Sequence, residues 1–501
     1  MSKGLIQSGL WRKARAELRR FYLLFTSRLY SVLILAALVC TLAAKLFHSV
    51  RSSQAGQYIG WVLADIAVLL GIEISLALIC YMRPRKWVFR LATGAAALVC
   101  TWSFINAGWL IRTGKQIVPT QLFPLIRDPW TTAVIIIVNL IKMPAVAVIL
   151  IGVLTLTFTF LFFVLVKPKL LKYNRNRLVE KTAISAFIII FSLGTYTVIA
   201  KSESVNPATL EMRYNCQLQA ATNLIDYGIE TKADSKLPGR HIPFRDEINI
   251  SLKQNTPGKN YNVVIIVLEG VQYKYTSLYD HKNNLTPYLL NLAREGAEFT
   301  HTRSSFTYST KAIFSLMTGR YPSATFELPE TLPQKQPYAS IATILEDKLN
   351  YRTAYFLSAK GEFECGPGLV HNLGFDKFWA RECLPGTDSY IGYLSSDEYA
   401  MIKPITEWIA SDSKPFVLSV VCSVTHDPYE PPRWYAPAAK EPVGRYQQAI
   451  TYTDSFISAL DSELAKMNLK DNTIFCVLSD HGEAFGEHGQ FTHEGMGYEE
   501  A

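Results

Sequence analysis

The first 200 residues contain almost no acid: five Asp or Glu stand against 23 Lys or Arg, and His48 is the one histidine. Charge is scarce over the whole chain, at 18% of 501 residues, while 49% are hydrophobic and mean hydropathy is +0.12. That balance excludes a disordered chain, and an ordinary soluble enzyme carries more charge. Neither an internal repeat nor a low-complexity tract is present. The length exceeds what one core fills, so two or three domains are expected. The net charge of +8 describes neither half: residues 1–200 carry a surplus of 18 positive charges, and residues 201–501 an excess of ten negative ones. The positive charge flanks apolar runs, which points to a membrane and away from nucleic acid.

Five apolar stretches are long enough to span a bilayer: roughly 30–47, 58–81, 87–111, 145–166 and 183–200. A further apolar run, 131–143, is interrupted by Lys142 and bounded by Pro144; it fits an interfacial helix or an extension of the fourth span. Basic residues cluster in the N-terminal tail (Lys3, Arg12, Lys13, Arg15, Arg19, Arg20, Arg28), after span two (Arg83, Arg85, Lys86) and after span four (Lys167, Lys169, Lys172, Arg175, Arg177, Lys181). The positive-inside bias puts these on the cytoplasmic side and residues 201–501 on the far side; Arg112, Lys115 and Arg127 weaken it slightly. The long basic tail and four later spans argue against a cleaved signal peptide. Asp65 and Glu73 lie within span two, where they either face a lipid-headgroup pocket or pair with nearby basic groups. Cys365 and Cys383 flank a Gly/Pro-containing segment and are candidates for a disulfide. Cys422 and Cys476 lie in apolar runs and read as buried small hydrophobes.

Residues 1–200 are thus expected to form a transmembrane domain, 201–258 a connector, and 259–501 a catalytic domain. In the last, Asn262–Leu268, Pro415–Cys422 and Thr473–Leu478 are continuous apolar runs, the mark of strands buried on both faces. Helical patterns at 286–296, 310–317, 339–349 and 443–468 alternate with them. The alternation predicts an α/β sandwich with a mainly parallel central sheet. Ligands of such sheets gather at the carboxyl ends of strands. Glu269-Gly270 follows the first run, Ser423-Val-Thr-His426-Asp427 the second, and Ser479-Asp480-His481-Gly482-Glu483 the third. Carboxylates and imidazoles brought to one sheet edge suit a single divalent transition metal, Zn²⁺ or Mn²⁺ before Ca²⁺. Asp480 and His481 would point to opposite sides of a regular strand, so a turn at Gly482 is needed for both to reach one ion. His493 fits a further ligand or a phosphate contact, and His488 a solvent-facing loop position. Ser309 would cap a short helix with an apolar side of Ile313, Phe314, Leu316 and Met317. At that N-terminus backbone N–H groups attract an anion, and a metal would activate the hydroxyl.

These segments resemble the alkaline-phosphatase/sulfatase superfamily, more closely its membrane-anchored phosphoethanolamine transferases and lipoteichoic-acid-synthase-type phosphoglycerol transferases. The likeness runs from Asn262 to the end of the chain, through Glu269, Leu285-Thr-Pro287, Leu292 to Phe299, Ser309 to Pro322, His426, and Ser479 to His493. It implies a metal held by Glu269, Asp480 and His481 and touching Ser309, a nucleophile at Ser309 with Thr310 as the alternative, and phosphate contacts and leaving-group protonation by His426 and His493. It further implies transfer of a phospholipid headgroup through a covalent phosphoryl-enzyme to an envelope glycan or lipid, in a bacterial inner membrane with the catalytic domain on the extracytoplasmic side. Ser309-Thr-Lys-Ala-Ile lacks the Pro and Arg of sulfatase formylglycine sites, which lowers sulfate-ester hydrolysis; Lys311 is expected to replace the Arg as a substrate contact. The alternatives are a membrane-bound sulfatase or phosphodiesterase and, in another class, an inactive membrane scaffold. The catalytic domain is expected to be truncated at its C-terminus.

Overall fold

The computed structural model describes residues 28–122, 144–165, 175–202, 212–234, 243–247, 260–323, 328–363, 366–386, 391–392, 394–489 and 491–493. The basic tail before Arg28, the run 131–143, Lys167, Lys169, Lys172 and Cys365 lie outside the described residues. The chain divides into two units, one chiefly Met1–Pro119 and Leu140–Gly228, the other chiefly Ile229–Glu487.

In the first unit the apolar stretches fold as helices α1 (Leu29–Arg51), α2 (Tyr58–Met82), α3 (Lys86–Thr113), α4 (Pro144–Leu165) and α5 (Arg175–Ser202). A helix bonds all its backbone internally, which hydrocarbon demands. Among the described residues four segments are long and apolar enough to cross a membrane: Leu29–Arg51, Ala55–Met82, Lys86–Thr113 and Leu178–Ile199. The fifth expected span corresponds to α4, whose described apolar stretch is Ala145–Thr159. Small residues let α3 and α4 close on each other: a Cβ at Gly108 would stand 2.5 Å from Ile149 Cγ1 and 2.7 Å from the Ala145 carbonyl.

The acids of span two face no headgroup pocket; each pairs with a lysine. Lys45 Nζ lies 2.6 Å from Asp65 and also donates to the carbonyls of Trp61 (2.9 Å), Met212 (2.7 Å) and Tyr214 (3.1 Å). Asn215 donates to the other Asp65 oxygen at 3.0 Å. Glu73 is bound by Lys181 and by the Ser31 hydroxyl. The Lys45 network draws the chain leaving the last span back onto the unit, where α6 (Cys216–Asp234) begins.

The second unit is built on β1 (Asn262–Leu268), β2 (Arg352–Leu357), β3 (Lys377–Trp379), β4 (Phe416–Cys422) and β5 (Thr473–Ser479), all parallel, in the order β3-β2-β4-β1-β5. Period-two alternation sends Val264, Ile266, Leu418 and Val420 to one face and Ile265, Val267, Val417 and Val421 to the other. On the first face lie α11 (Ile402–Ala410) and α12 (Pro442–Lys466), together with Leu289 of α7 (Pro287–Glu295). On the second lie α8 (Ser309–Thr318), α9 (Ile341–Leu349) and α10 (Gly366–Leu373). Past β5 a small antiparallel pair, β6 (Ala484–Phe485) with β7 (Phe491–Thr492), ends immediately before His493.

One cysteine expectation is corrected, and the other falls on an undescribed residue. Cys383 is an exposed thiol, and its expected partner Cys365 lies outside the described residues. Cys422 is buried, but Cys476 is exposed, because β5 is the edge strand and turns Ile474 and Cys476 outward.

Candidate active site

Parallel strands end on the same side of a sheet, so β1, β4 and β5 deliver their following residues to one edge. Glu269 follows β1, and Asp480 and His481 follow β5; all three are buried and offer ligand atoms within 4.8 Å of one another. Gly270 takes φ +61°, and any Cβ there would meet His481 Cε1 at 3.6 Å. The positive φ beside the Asp-His pair therefore falls at Gly270, after the neighbouring strand, and not at Gly482, where the sequence placed the turn.

The hydroxyl of Ser309, at the first turn of α8, lies 3.0 and 2.9 Å from the two Glu269 oxygens and 3.1 Å from His481 Nε2. α8 is anchored by Ile313, Phe314 and Met317 on the sheet, with Leu316 partly buried, which aims its N-terminus at the same edge. Thr310 is buried one residue further on. Asp480 Oδ1 accepts the Gly270 and His481 amides at 2.9 and 2.8 Å, whereas the buried Oδ2 has no hydrogen-bond partner. His481 Nδ1 lies 2.9 Å from the Gly482 carbonyl, the arrangement that leaves Nε2 as a ligand nitrogen.

The electrostatics of this cluster ask for a cation. Burial and the charge of Glu269 raise the Asp480 carboxyl to about 6. Burial opposes charge on His481, but Asp480 and Glu269 overcome it and raise the imidazole to about 10. Burial also works against Glu269, yet hydrogen bonding to His481 brings it down to about 2. Two buried carboxylates thus hold the imidazole protonated, and a divalent ion would supply that charge instead. An orphaned carboxylate oxygen, a second carboxylate, an imidazole nitrogen and a hydroxyl are a donor set that such an ion fits.

His426 and His493 join the cluster. The His493 ring lies 4.5 Å from that of His481 and 6.0 Å from that of His426, centroid to centroid. His426 Nδ1 lies 2.9 Å from the Asp427 carbonyl, and His493 Nδ1 3.3 Å from Glu483. His488 is exposed on its loop.

Lys311 is the correction at the site. It is fully buried behind α8, where Nζ donates to the Ser323 carbonyl and hydroxyl at 2.7 and 2.6 Å and lies 3.8 Å from Glu330. Its charge pins the chain after the helix, because a lysine on the inward side of α8 has buried partners within reach. Other contributors carried no signal in the sequence. Tyr446, on α12, donates to the Gly270 carbonyl at 2.6 Å and accepts the Gln272 amide at 2.9 Å. Thr425 donates to the Glu269 carbonyl at 2.5 Å. Glu398, buried, accepts the Val424 amide at 3.0 Å beneath the turn that carries His426.

Residues 261–501 match the Sulfatase family. Lipoteichoic acid synthase 1 of Bacillus subtilis is 23% identical over 253 residues, 48% of this chain and 39% of that protein. An ulvan-active sulfatase of Formosa agariphila is 27% identical over 285 residues, 49% of this chain and 55% of that protein. The chain therefore spans about half the length, or less, of these curated relatives. The integral membrane lipooligosaccharide phosphoethanolamine transferase A of Neisseria meningitidis shares the fold over 85% of this chain and 84% of its own, with a TM-score of 0.54 and 15% identity.

Proposed function

We propose that this protein moves the headgroup of a membrane phospholipid, phosphoethanolamine or phosphoglycerol, to a glycan or lipid acceptor of the cell envelope, with Ser309 as nucleophile. The observation that carries this reading is the Ser309 hydroxyl at the first turn of α8, 2.9 Å from Glu269 and 3.1 Å from His481. A serine between the buried Glu269 carboxylate and an imidazole is poised for deprotonation, and the backbone N–H groups of the helix start stabilise a phosphoryl group in front of it.

Glu269, Asp480, His481 and Ser309 would hold one divalent ion, which lowers the pKa of a bound hydroxyl and neutralises charge on non-bridging phosphoryl oxygens. The residues do the rest. Ser309 Oγ passes its proton to the Glu269 carboxylate and bonds to phosphorus as the phosphorus–oxygen bond to diacylglycerol breaks, and the leaving alkoxide takes a proton from His493 or His426. The resulting seryl phosphodiester is attacked by an acceptor hydroxyl, whose proton returns to the histidine, and Ser309 leaves phosphorus as it takes its own proton back from Glu269. Spans that keep the protein in the bilayer hold it with its donor at high local concentration. A bacterial inner membrane with the catalytic domain outside the cytoplasm fits the charge bias of the spans and a lipid donor.

A second reading, a membrane-bound hydrolase of sulfate esters or phosphodiesters, is favoured by the 27% identity to an ulvan-active sulfatase. Ser309-Thr-Lys-Ala-Ile, without the Pro and Arg of formylglycine sites, favours transfer. The test incubates the full chain in detergent micelles with phosphatidylethanolamine, phosphatidylglycerol and an aryl sulfate, with Zn²⁺ or Mn²⁺. Diacylglycerol release from one phospholipid and no sulfate release supports transfer; sulfate release without diacylglycerol overturns it.

A further inference from the structure

Each of the three clustered histidines has its Nδ1 engaged, but by different partners. Nδ1 of His481 and of His426 meets the main-chain carbonyl of the next residue, Gly482 and Asp427. His493 is served by a side chain ten residues earlier, Glu483, whose Oε2 lies 3.3 Å from Nδ1. Glu483 is buried, at 1% exposure, and its second oxygen, Oε1, is buried with no hydrogen-bond partner. An ionisable group held out of water with an orphaned oxygen costs stability, so it is retained for what it does to its neighbour. The carboxylate also lies against the turn after β1, with Oε2 3.8 Å from where a Cβ would stand at Gly270.

We propose that Glu483 is a positioning residue for His493. Its carboxylate accepts the Nδ1–H, fixes the ring's rotation and tautomer, and leaves Nε2 as the one nitrogen free to meet the phosphoryl group being transferred. The inference rests on the headgroup-transfer reading for its substrate and on the described geometry for the pairing itself. A carbonyl of an adjacent residue orients a ring only as well as the turn holds it. A carboxylate bond is charge-assisted and stronger, which suits the histidine that β7 leaves at the end of a two-residue strand.

The test uses the full chain in detergent micelles and four proteins: wild type, Glu483→Ala, His493→Ala and the double variant, with Glu483→Gln as the conservative control. If Glu483 acts through His493, Glu483→Ala lowers kcat for diacylglycerol release about tenfold or more in the wild-type background and less than about twofold in the His493→Ala background. Glu483→Gln, which keeps an acceptor oxygen, recovers most of the rate. In parallel, ¹⁵N-histidine spectra assign the tautomer, the His493→Ala protein identifying the signal. The proton sits on Nδ1 in wild type and in Glu483→Gln and redistributes in Glu483→Ala. An equal loss in both backgrounds, or a tautomer unmoved in Glu483→Ala, overturns the proposal. A wild type without turnover but with the expected tautomer change defeats the headgroup reading and leaves the pairing standing.

Discussion

At the scale of residues, Ser309, Glu269 and the Asp480-His481 pair converge although 40 positions separate Glu269 from Ser309 and 171 separate Ser309 from Asp480, because strand ends and a helix start meet at one sheet edge. Removing either carboxylate leaves too few anionic donors for an ion. Asp480→Asn and Glu269→Gln are predicted to lower bound metal, measured by elemental analysis of the purified protein, from about one ion per chain to less than about a tenth, while Ser309→Ala keeps it. Legibility at this scale followed a clear physical line. Residues directly after apolar strands stood out, since a parallel sheet gathers its ends. Lys311 was misread because a charge near a nucleophile looks like a substrate contact; the inward side of α8 and Glu330, 19 residues away, decide otherwise. Tyr446 left no local trace, since its partners at Gly270 and Gln272 are 174 or more residues distant.

At the scale of elements, the runs that became β1, β4 and β5 were readable because each is continuously apolar. β2, Arg352–Leu357, begins with a charge and a threonine, and β3 is three residues long, so neither carries a pattern of its own. Nor does a run distinguish a central strand from an edge, which is why Cys476 was taken for a core residue. The turns between elements rest on buried polar groups, and these make pH predictions. Burial raises Glu398 to about 8 and Asp454, which accepts the Tyr288 and Leu289 amides at the start of α7, to about 6. Both folded values lie above the unfolded ones, so between about pH 4 and 8 the folded state holds more protons, and stability falls as pH rises. Thermal unfolding should show a slope of up to about 1.4 kcal/mol per pH unit for each group over its window. Glu398→Gln should flatten the curve between pH 5 and 8; an unchanged curve would refute the assignment. Tyr446→Phe, which strips the hydroxyl from the turn after β1, should cost about 1–3 kcal/mol and lower turnover without changing metal content.

At the scale of the whole molecule, a basic helical unit rich in apolar runs is joined to an acidic α/β unit, a division visible in charge alone. The depth of the polar network around Lys45 was not visible, because it depends on Met212, Tyr214 and Asn215, more than 160 residues away. Lys45→Met should destabilise the first unit by about 3–5 kcal/mol by stranding Asp65, and adding Asp65→Leu should recover much of that loss. Unfolding midpoints in detergent would report both. Central to the account is that Ser309 becomes covalently linked to a lipid headgroup. Intact-protein mass spectrometry of the metal-loaded full chain, after incubation with mixed phospholipids, reads this directly. The account predicts a mass increment equal to phosphoethanolamine or phosphoglycerol in wild type and Thr310→Ala, and none in Ser309→Ala. An increment that survives Ser309→Ala and disappears in Thr310→Ala would contradict it, as would metal-loaded, folded protein that releases diacylglycerol and never carries an adduct.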